Sequence, residues 1–336
     1  MSSDTREADR PERISLVTGA AGFIGSHLVK ELRSSGERVI ALDRRPLPGA
    51  DDFPSLRGPL REIRGDLNSL PLVEYLKGVS VVYHLAALPG VRPSWVRFSE
   101  YLQCNVLATQ RLLDACVRAG VPRVVVASSS SVYGGTTGVM SEDDLPRPLS
   151  PYGVTKLAAE RLALAFAARG DTALSVGALR FFTVYGPGQR PDMFISRLIR
   201  STLRSEPLEI YGDGSQVRDF THVSDVVRAL TLAGAAREKG GTVLNIGTGN
   251  TASVNEVVSM TAELTGLHPA VEYGAAREGD APSTSADVSR ARSRLGFTAL
   301  TGLREGLTTQ IDWARTSGRA GVGTVPLGGA TSSPRG

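Results

Sequence analysis

An α/β fold, in which a doubly wound parallel sheet carries a smaller mixed α/β lobe, is predicted by three features of the 336-residue sequence. Short β-branched runs alternate with longer amphipathic stretches through the first half, the pattern of a parallel sheet with crossover helices. A glycine-rich turn, Gly19-Ala20-Ala21-Gly22-Phe23-Ile24-Gly25, follows the first such run and opens the first amphipathic stretch. Beyond about residue 185 the alternation yields to clusters such as Gly186-Pro187-Gly188 and Gly212-Asp213-Gly214, which mark longer loops.

Taken in order, the strand-forming runs are residues 14–18, 38–42, 62–64, 79–84, 123–127 and 173–180. Helices are expected over 24–34, 101–119 and 152–168, and Pro151 stands just before the last, where proline suits a helix entry. In the second half, helices over 193–205 and 254–265 flank a short strand at 243–246. The expected organisation is a disordered leader at 1–12, a first domain at 13–185 to which a segment around 220–250 returns, a lobe made mainly of 186–316, and a flexible Gly/Ser/Pro/Thr-rich tail at 317–336.

Composition narrows the function classes. Hydrophobic content of 41% and charge of 21% are ordinary for a soluble globular enzyme. The net charge of +4 and pI near 9.2 come without a dense Lys/Arg tract, so nucleic acid is not an expected partner. No run of about 18 apolar residues is available to span a membrane, and the polar first residues lack the apolar core of a secretory signal. Cys104 and Cys116 have no metal-ligand spacing and are expected as buried thiols in a reducing cytoplasm.

The glycine turn has the spacing of a dinucleotide loop. Gly19 permits the tight turn, Gly22 lets the backbone approach a pyrophosphate, and Gly25 allows close helix–strand packing. The helix beginning at Phe23 and Ile24 then offers free N–H groups to the phosphates. Asp43 ends the next strand, where a carboxylate accepts bonds from the adenosine ribose and disfavours a 2′-phosphate, which favours NAD. Arg44 and Arg45 follow directly and keep NADP as the alternative; Asp66 and Leu67, after the third strand, are candidates to cap the adenine.

Tyr152 and Lys156 lie four residues apart, on one face of a helix. A phenol is a poor base at neutral pH, and a fixed cation nearby stabilises the phenolate that proton abstraction from a hydroxyl needs. The run Ser128-Ser129-Ser130-Ser131 ends a predicted strand at the carboxyl edge of the sheet, where ligands bind in open α/β sheets.

The glycine loop, His84-Leu85-Ala86-Ala87, the serine run before Val132-Tyr133-Gly134, Tyr152 with Lys156, and the segments 180–187, 218–220 and 277–280 together resemble the extended short-chain dehydrogenase/reductase family over roughly residues 13–315. The resemblance implies a Rossmann-type fold, NAD as cofactor, Tyr152 as base, Lys156 as its electrostatic partner and ribose ligand, and Ser129 as third member. Ser128 and Ser130 stay open for that third place. Leu85, Ala86, Ala87, Asn105 and Ser128 match cofactor-lining positions. Relatives are often dimers through a helix bundle, so a homodimer is expected; 101–119 and 152–168 can supply such a bundle, or the chain's own core can equally cover their apolar faces.

Within the family, sugar-nucleotide 4,6-dehydratases carry an acidic pair after the catalytic hydroxyl, and UDP-glucuronate decarboxylases typically a Ser-Glu pair. Here Ser130 and Ser131 stand instead. Residues 182–193, with 127–134 and Gly90-Val91-Arg92, resemble UDP-glucuronate 4-epimerases. That implies Thr183 and Arg190 near the sugar and diphosphate, Arg218 on a phosphate, Arg277 and Asp280 at the diphosphate and nucleotide ribose, Tyr211 beside the uracil, and Arg92 toward the sugar carboxylate. The expected reaction is conversion of UDP-glucuronate to UDP-galacturonate through a 4-keto intermediate. UDP-glucose 4-epimerisation is the alternative, with a UDP-glucuronate decarboxylase or sugar-nucleotide ketoreductase as further ones. A dinucleotide sensor without catalysis is disfavoured because the Tyr/Lys pair is kept.

Overall fold

The computed structural model describes residues 13–48, 56–135, 138–275 and 283–319. The expected leader, most of the expected tail, and both Arg277 and Asp280 lie outside the described residues. Seven strands form a parallel sheet: β1 (Ile14–Thr18), β2 (Arg38–Asp43), β3 (Leu60–Arg64), β4 (Val81–His84), β5 (Arg123–Ser129), β6 (Ser175–Phe181) and β7 (Gly241–Ile246). Their spatial order is β7-β6-β5-β4-β1-β2-β3, so the direction of winding reverses between β1 and β4. That reversal opens a crevice beyond the strands' carboxyl ends, the natural ligand position in such sheets.

Both faces of the sheet are covered. On one, α1 (Phe23–Ser34) packs Leu28, Val29 and Leu32 beside Val226, Val227 and Leu230 of a later helix over Val17 and Tyr83. On the other, α2 (Ala108–Ala119) buries Leu112, Leu113 and Cys116 with Ala163 against Leu16, Val82 and Val124. The remaining long helices are α3 (Pro151–Ala167), α4 (Phe194–Arg204), α5 (Val223–Ala235), α6 (Val254–Thr265) and α7 (Leu303–Arg319). In α3 the first-turn Gly153 N–H is capped by the Ser150 hydroxyl at 3.1 Å, and Pro151 occupies the first turn, where its missing N–H costs nothing.

The lobe has its own core, in which Ile195, Leu198 and Ile199 of α4 meet Val257 of α6 and Leu307 and Ile311 of α7. Its largest sheet joins four distant pieces in the order Ala252–Ser253, Val217–Arg218, Ser283–Ala286 and Val139–Met140. Thr183–Tyr185 pairs in parallel with Phe220–His222, and Leu208–Tyr211 with Val271–Gly274.

Element bounds depart from expectation in two instructive places. β5 runs on to Ser129 because its parallel pairing continues through Ser128↔Arg180 and Ser129↔Phe181, and backbone pairing needs no apolar side chain. The 101–119 stretch is helical, but residues Leu102–Leu107 form a π-helical turn between Phe98–Tyr101 and α2. Such turns recur at functional sites.

Candidate active site

The glycine turn is built by close backbone approach. Gly19 adopts φ +69°, and a Cβ there would lie 2.7 Å from the Ala86 nitrogen. A Cβ on Gly25 would lie 2.1 Å from the Gly19 carbonyl oxygen. Helix α1 then starts at Phe23 and Ile24 with Gly22 as N-cap and no side-chain capping bond, so its first N–H groups are left for an anionic ligand.

At the end of β2, the Asp43 carboxylate accepts the Ala21 N–H at 3.0 Å and the Arg45 N–H at 2.9 Å. The arginines beside it are both engaged: Arg45 donates to the Ala21 carbonyl at 3.1 Å, and Arg44 pairs with Asp66 at 3.6 Å. Asp66 also accepts the Asn68 N–H at 2.8 Å, with Leu67 buried next to it. A turn with no room for side chains, an open helix N-terminus and an acidic residue at the next strand end together fit NAD.

Beyond β4, Leu85 N–H donates to the Thr18 carbonyl at 3.2 Å and Ala86 N–H to the Thr18 hydroxyl at 3.3 Å; Ala87 follows. His84 is buried between two threonines. Thr109 Oγ1 gives its proton to the Asn105 carbonyl at 2.6 Å, so it accepts from His84 Nε2 at 2.8 Å. Nδ1 then accepts from Thr18 Oγ1 at 2.8 Å, which assigns the neutral Nε2–H tautomer. Burial, with Lys156 nearby, holds His84 down to about 3, so the ring stays neutral. Asn105, in the π-helical turn, accepts the Leu88 N–H at 2.7 Å and donates to Thr155 Oγ1 at 3.1 Å.

Tyr152 and Lys156 stand one turn apart at the start of α3, facing the end of β5. Burial pushes the Tyr152 phenol above its usual value of 10, while a hydrogen bond with Ser129 and the charge of Arg190 pull it back. Burial lowers the Lys156 ammonium to about 8, opposed by Cys104 and Glu160, and its Nζ donates to the Ala127 carbonyl at 2.5 Å.

The serines divide their work. Ser129 accepts the Ser131 N–H at 3.2 Å, and its hydroxyl is the neighbour that draws the Tyr152 phenol down. Ser128, expected at the cofactor, instead donates its hydroxyl to the buried Glu160 at 2.7 Å. Glu160 receives Arg180 through two bonds of 2.9 and 2.7 Å, and that guanidinium lies 4.6 Å over the Tyr133 ring. Ser130 and Ser131 form the 3₁₀ turn that follows β5.

On the substrate side, the Ser129↔Phe181 register puts Thr183 just past the same sheet edge, and its hydroxyl bonds no side chain or backbone among the described residues. The segment 183–193 is pinned from both sides: His27 of α1 meets the Pro187 carbonyl at 2.8 Å, and Gln310 of α7 accepts the Gly186 N–H at 2.9 Å. Arg190 forms a two-bond pair with Asp192. Arg218 donates to the Val217 carbonyl at 2.8 Å beside Asp219, whose buried carboxylate holds the Thr248 and Gly249 N–H groups at 2.9 Å. Arg92 and Tyr211 meet each other, the guanidinium 4.5 Å above the ring. Among the described residues no His/Cys/Asp/Glu cluster fit to hold a metal is present, and no helix is long and apolar enough to cross a membrane.

Sequence reasoning did not single out Ser94, Thr155, Glu160 or Arg180. Glu160 and Arg180 left a trace: each is a charge set among residues expected to be buried, and such charges require a partner.

Residues 15–247 match the model of the NAD dependent epimerase/dehydratase family. A Bacillus subtilis protein described as an uncharacterized UDP-glucose epimerase, YtcB, is 43% identical over 305 residues, 88% of this chain and 96% of its own. Among solved structures, MoeE5 in complex with UDP-glucuronic acid and NAD is 76% identical, with a TM-score of 0.87 over 90% of this chain and 99% of that one. MoeE5 has also been solved with UDP-glucose and NAD. A UDP-glucuronic acid 4-epimerase from Bacillus cereus, in complex with UDP-glucuronic acid and NAD, is 39% identical, with a TM-score of 0.84 over 90% and 99% of the two chains.

Proposed function

Because the chain belongs to the NAD dependent epimerase/dehydratase family, we propose that it is a UDP-sugar 4-epimerase that converts UDP-glucuronate to UDP-galacturonate. One observation carries the chemistry. The Ser129 hydroxyl draws the Tyr152 phenol down, Lys156 stands one turn on, and hydroxyls rather than carboxylates fill the rest of the serine run. That set supports removal and return of a hydroxyl proton and lacks the acid–base pair that elimination of water requires.

In this reading Gly19, Gly22, Phe23, Ile24 and Gly25 cradle the pyrophosphate of NAD, Asp43 takes the adenosine ribose, and residues 85–87 with Asn105 line the nicotinamide side. NAD, when bound, takes up hydride from C4 of the sugar and later gives it back. Tyr152, as phenolate, accepts the C4 hydroxyl proton at its Oη. Ser129 donates a hydrogen bond to the same sugar oxygen, and the Lys156 charge favours the phenolate. The 4-keto sugar turns over in the site, Tyr152 returns the proton, and C4 is inverted. Arg190 and Arg218 hold the diphosphate, where a planar guanidinium gives paired bonds. Arg92 and Tyr211, stacked on each other, serve one part of the substrate rather than its two ends. A 4-keto glucuronate is a β-keto acid that readily loses CO2, and the Thr183 hydroxyl, just past the sheet edge and without a partner among the described residues, supports a site that holds the carboxylate against that loss.

The neutral-sugar reading is favoured by one specific likeness, since MoeE5 was also solved with UDP-glucose. The deciding experiment incubates the purified protein with UDP-glucuronate and, separately, UDP-glucose, with no NAD added. UDP-galacturonate is the expected product. UDP-pentose with CO2 would overturn the reading in favour of a decarboxylase, and turnover of UDP-glucose alone would move it to the neutral sugar. Tyr152→Phe is expected to lose turnover and keep NAD.

We also infer a homodimer in the cytoplasm, where NAD and nucleotide sugars are available. Support comes from Trp95, Phe98, Leu102 and Leu107, exposed near α2, and Val154, exposed on α3, all apolar and open to solvent in the single chain. Sedimentation as a monomer at micromolar concentration would remove the dimer.

A further inference from the structure

The first N–H groups of a helix have no partner within it and must find one elsewhere. In α3 the Gly153 N–H takes the Ser150 hydroxyl, a neighbour in sequence. The Tyr152 N–H takes the hydroxyl of Ser94 at 3.0 Å, from a residue 58 positions earlier. Ser94 is completely buried, in the short turn Pro93–Val96, and passes its own proton to the Val91 carbonyl at 2.5 Å. Its hydroxyl therefore has a fixed direction, accepting from Tyr152 and donating to Val91.

The other end of the Tyr152 peptide is held as well. Its carbonyl accepts the Thr155 hydroxyl at 2.9 Å, and that hydroxyl accepts Asn105 Nδ2 at 3.1 Å. The ring of Tyr152 meets Tyr101 edge-on at 6.3 Å, and the Tyr101 phenol reaches the Pro89 and Gly90 carbonyls at 2.8 and 3.0 Å. The segment 89–96 thus touches Tyr152 through Ser94 and, by way of Arg92 on Tyr211, also touches the lobe.

We infer that Ser94 is a positioning residue for Tyr152: it sets where the first turn of α3 sits, and so where the phenol stands against Ser129 and Lys156. The inference rests on the reading of Tyr152 as the base. Misplacing a reacting group by about an ångström lowers rates by around a hundredfold. Losing one of two backbone anchors is a smaller displacement, so the expected fall in kcat for Ser94→Ala is about tenfold.

The test uses Ser94→Ala, Ser94→Thr and Ser94→Val in the NAD-loaded protein. Threonine and valine share a shape and differ in the hydroxyl. Alanine and valine are expected to lower kcat with KM and NAD content within about twofold of the parent, and threonine to restore most of the loss. The acid limb of the kcat profile should move to higher pH in Ser94→Ala, because a phenol shifted from Ser129 and Lys156 is harder to ionise, and the deficit should shrink as pH rises. Parental kcat in Ser94→Ala, or one constant deficit at every pH, overturns the inference. Tyr152→Phe is run in parallel. If that variant still turns over, the base assignment itself fails; if it is inactive while Ser94→Ala behaves as the parent, only the role of Ser94 fails.

Discussion

Lys156 occupies a place where a cation is costly, and removing its charge should make the NAD-free protein more stable. The side chain is buried, and burial lowers its ammonium from the usual 10.5 to about 8. At about 1.4 kcal/mol per pH unit, holding the charged form costs the fold roughly 3 kcal/mol near neutral pH. Lys156→Met keeps the apolar stem and removes the charge. The bond to the Ala127 carbonyl goes with it, at about 1 kcal/mol, leaving a net gain of about 2 kcal/mol. Below about pH 8 the folded and unfolded chains both hold the proton, so the cost is complete. Between about 8 and 10.5 the unfolded chain keeps a proton that the folded chain has released, so the stability of the parent rises with pH. The variant lacks that rise, and its advantage should fade across this window. Urea unfolding of both NAD-free proteins at several pH values reads the difference directly. A variant less stable than the parent near neutral pH, or a difference that does not change with pH, would refute the argument. Turnover should be lost in the variant, as expected where activity and stability compete for one residue.

Two other substitutions probe the frame around the site. Gly25→Ala would force a methyl to within 2.1 Å of the Gly19 carbonyl oxygen, so NAD affinity should fall by about a hundredfold or more, read by fluorescence titration; binding within twofold of the parent would contradict the close approach. Arg180→Met leaves Glu160 charged and buried with Ser128 as its remaining partner, and should cost about 3–5 kcal/mol in urea unfolding. The double variant Arg180→Met/Glu160→Leu should recover most of that loss, and equal losses in single and double would show that packing rather than charge sets the cost.

Much of the sheet is legible in the sequence because its information is local. The run Ile14–Thr18 and the helix Val254–Thr265 are found at the bounds their apolar patterns give, and the glycine spacing marks the loop between β1 and α1. Tyr152 and Lys156 are legible for the same reason, being one helical turn apart. What sequence leaves out is whatever depends on distant partners. Ser94 reaches Tyr152 across 58 positions, and a buried serine has no periodic signature. Ser128 and Ser129 are identical neighbours in the chain, yet strand alternation turns one to Glu160 and the other to Tyr152. Arg92 and Tyr211, read separately as ligands of two ends of one substrate, turn out to touch, because the lobe folds back over the turn after β4.

The four-stranded sheet of the lobe also sets the order in which the molecule can be completed during synthesis. Its strand Val139–Met140 is made early, but the partner it pairs with, Ser283–Ala286, is translated almost 150 residues later. The central sheet has a milder version of the same delay, since β6 ends at Phe181 and gains its outer neighbour only when β7 at Gly241–Ile246 has emerged. Until then a nascent chain presents an open strand edge, which invites pairing with other chains. The contacts that close the lobe onto the segment after β5 are therefore among the last to form, and a ribosome-bound chain halted before residue 283 would carry Ser129, Tyr152 and Lys156 without the finished lobe around them.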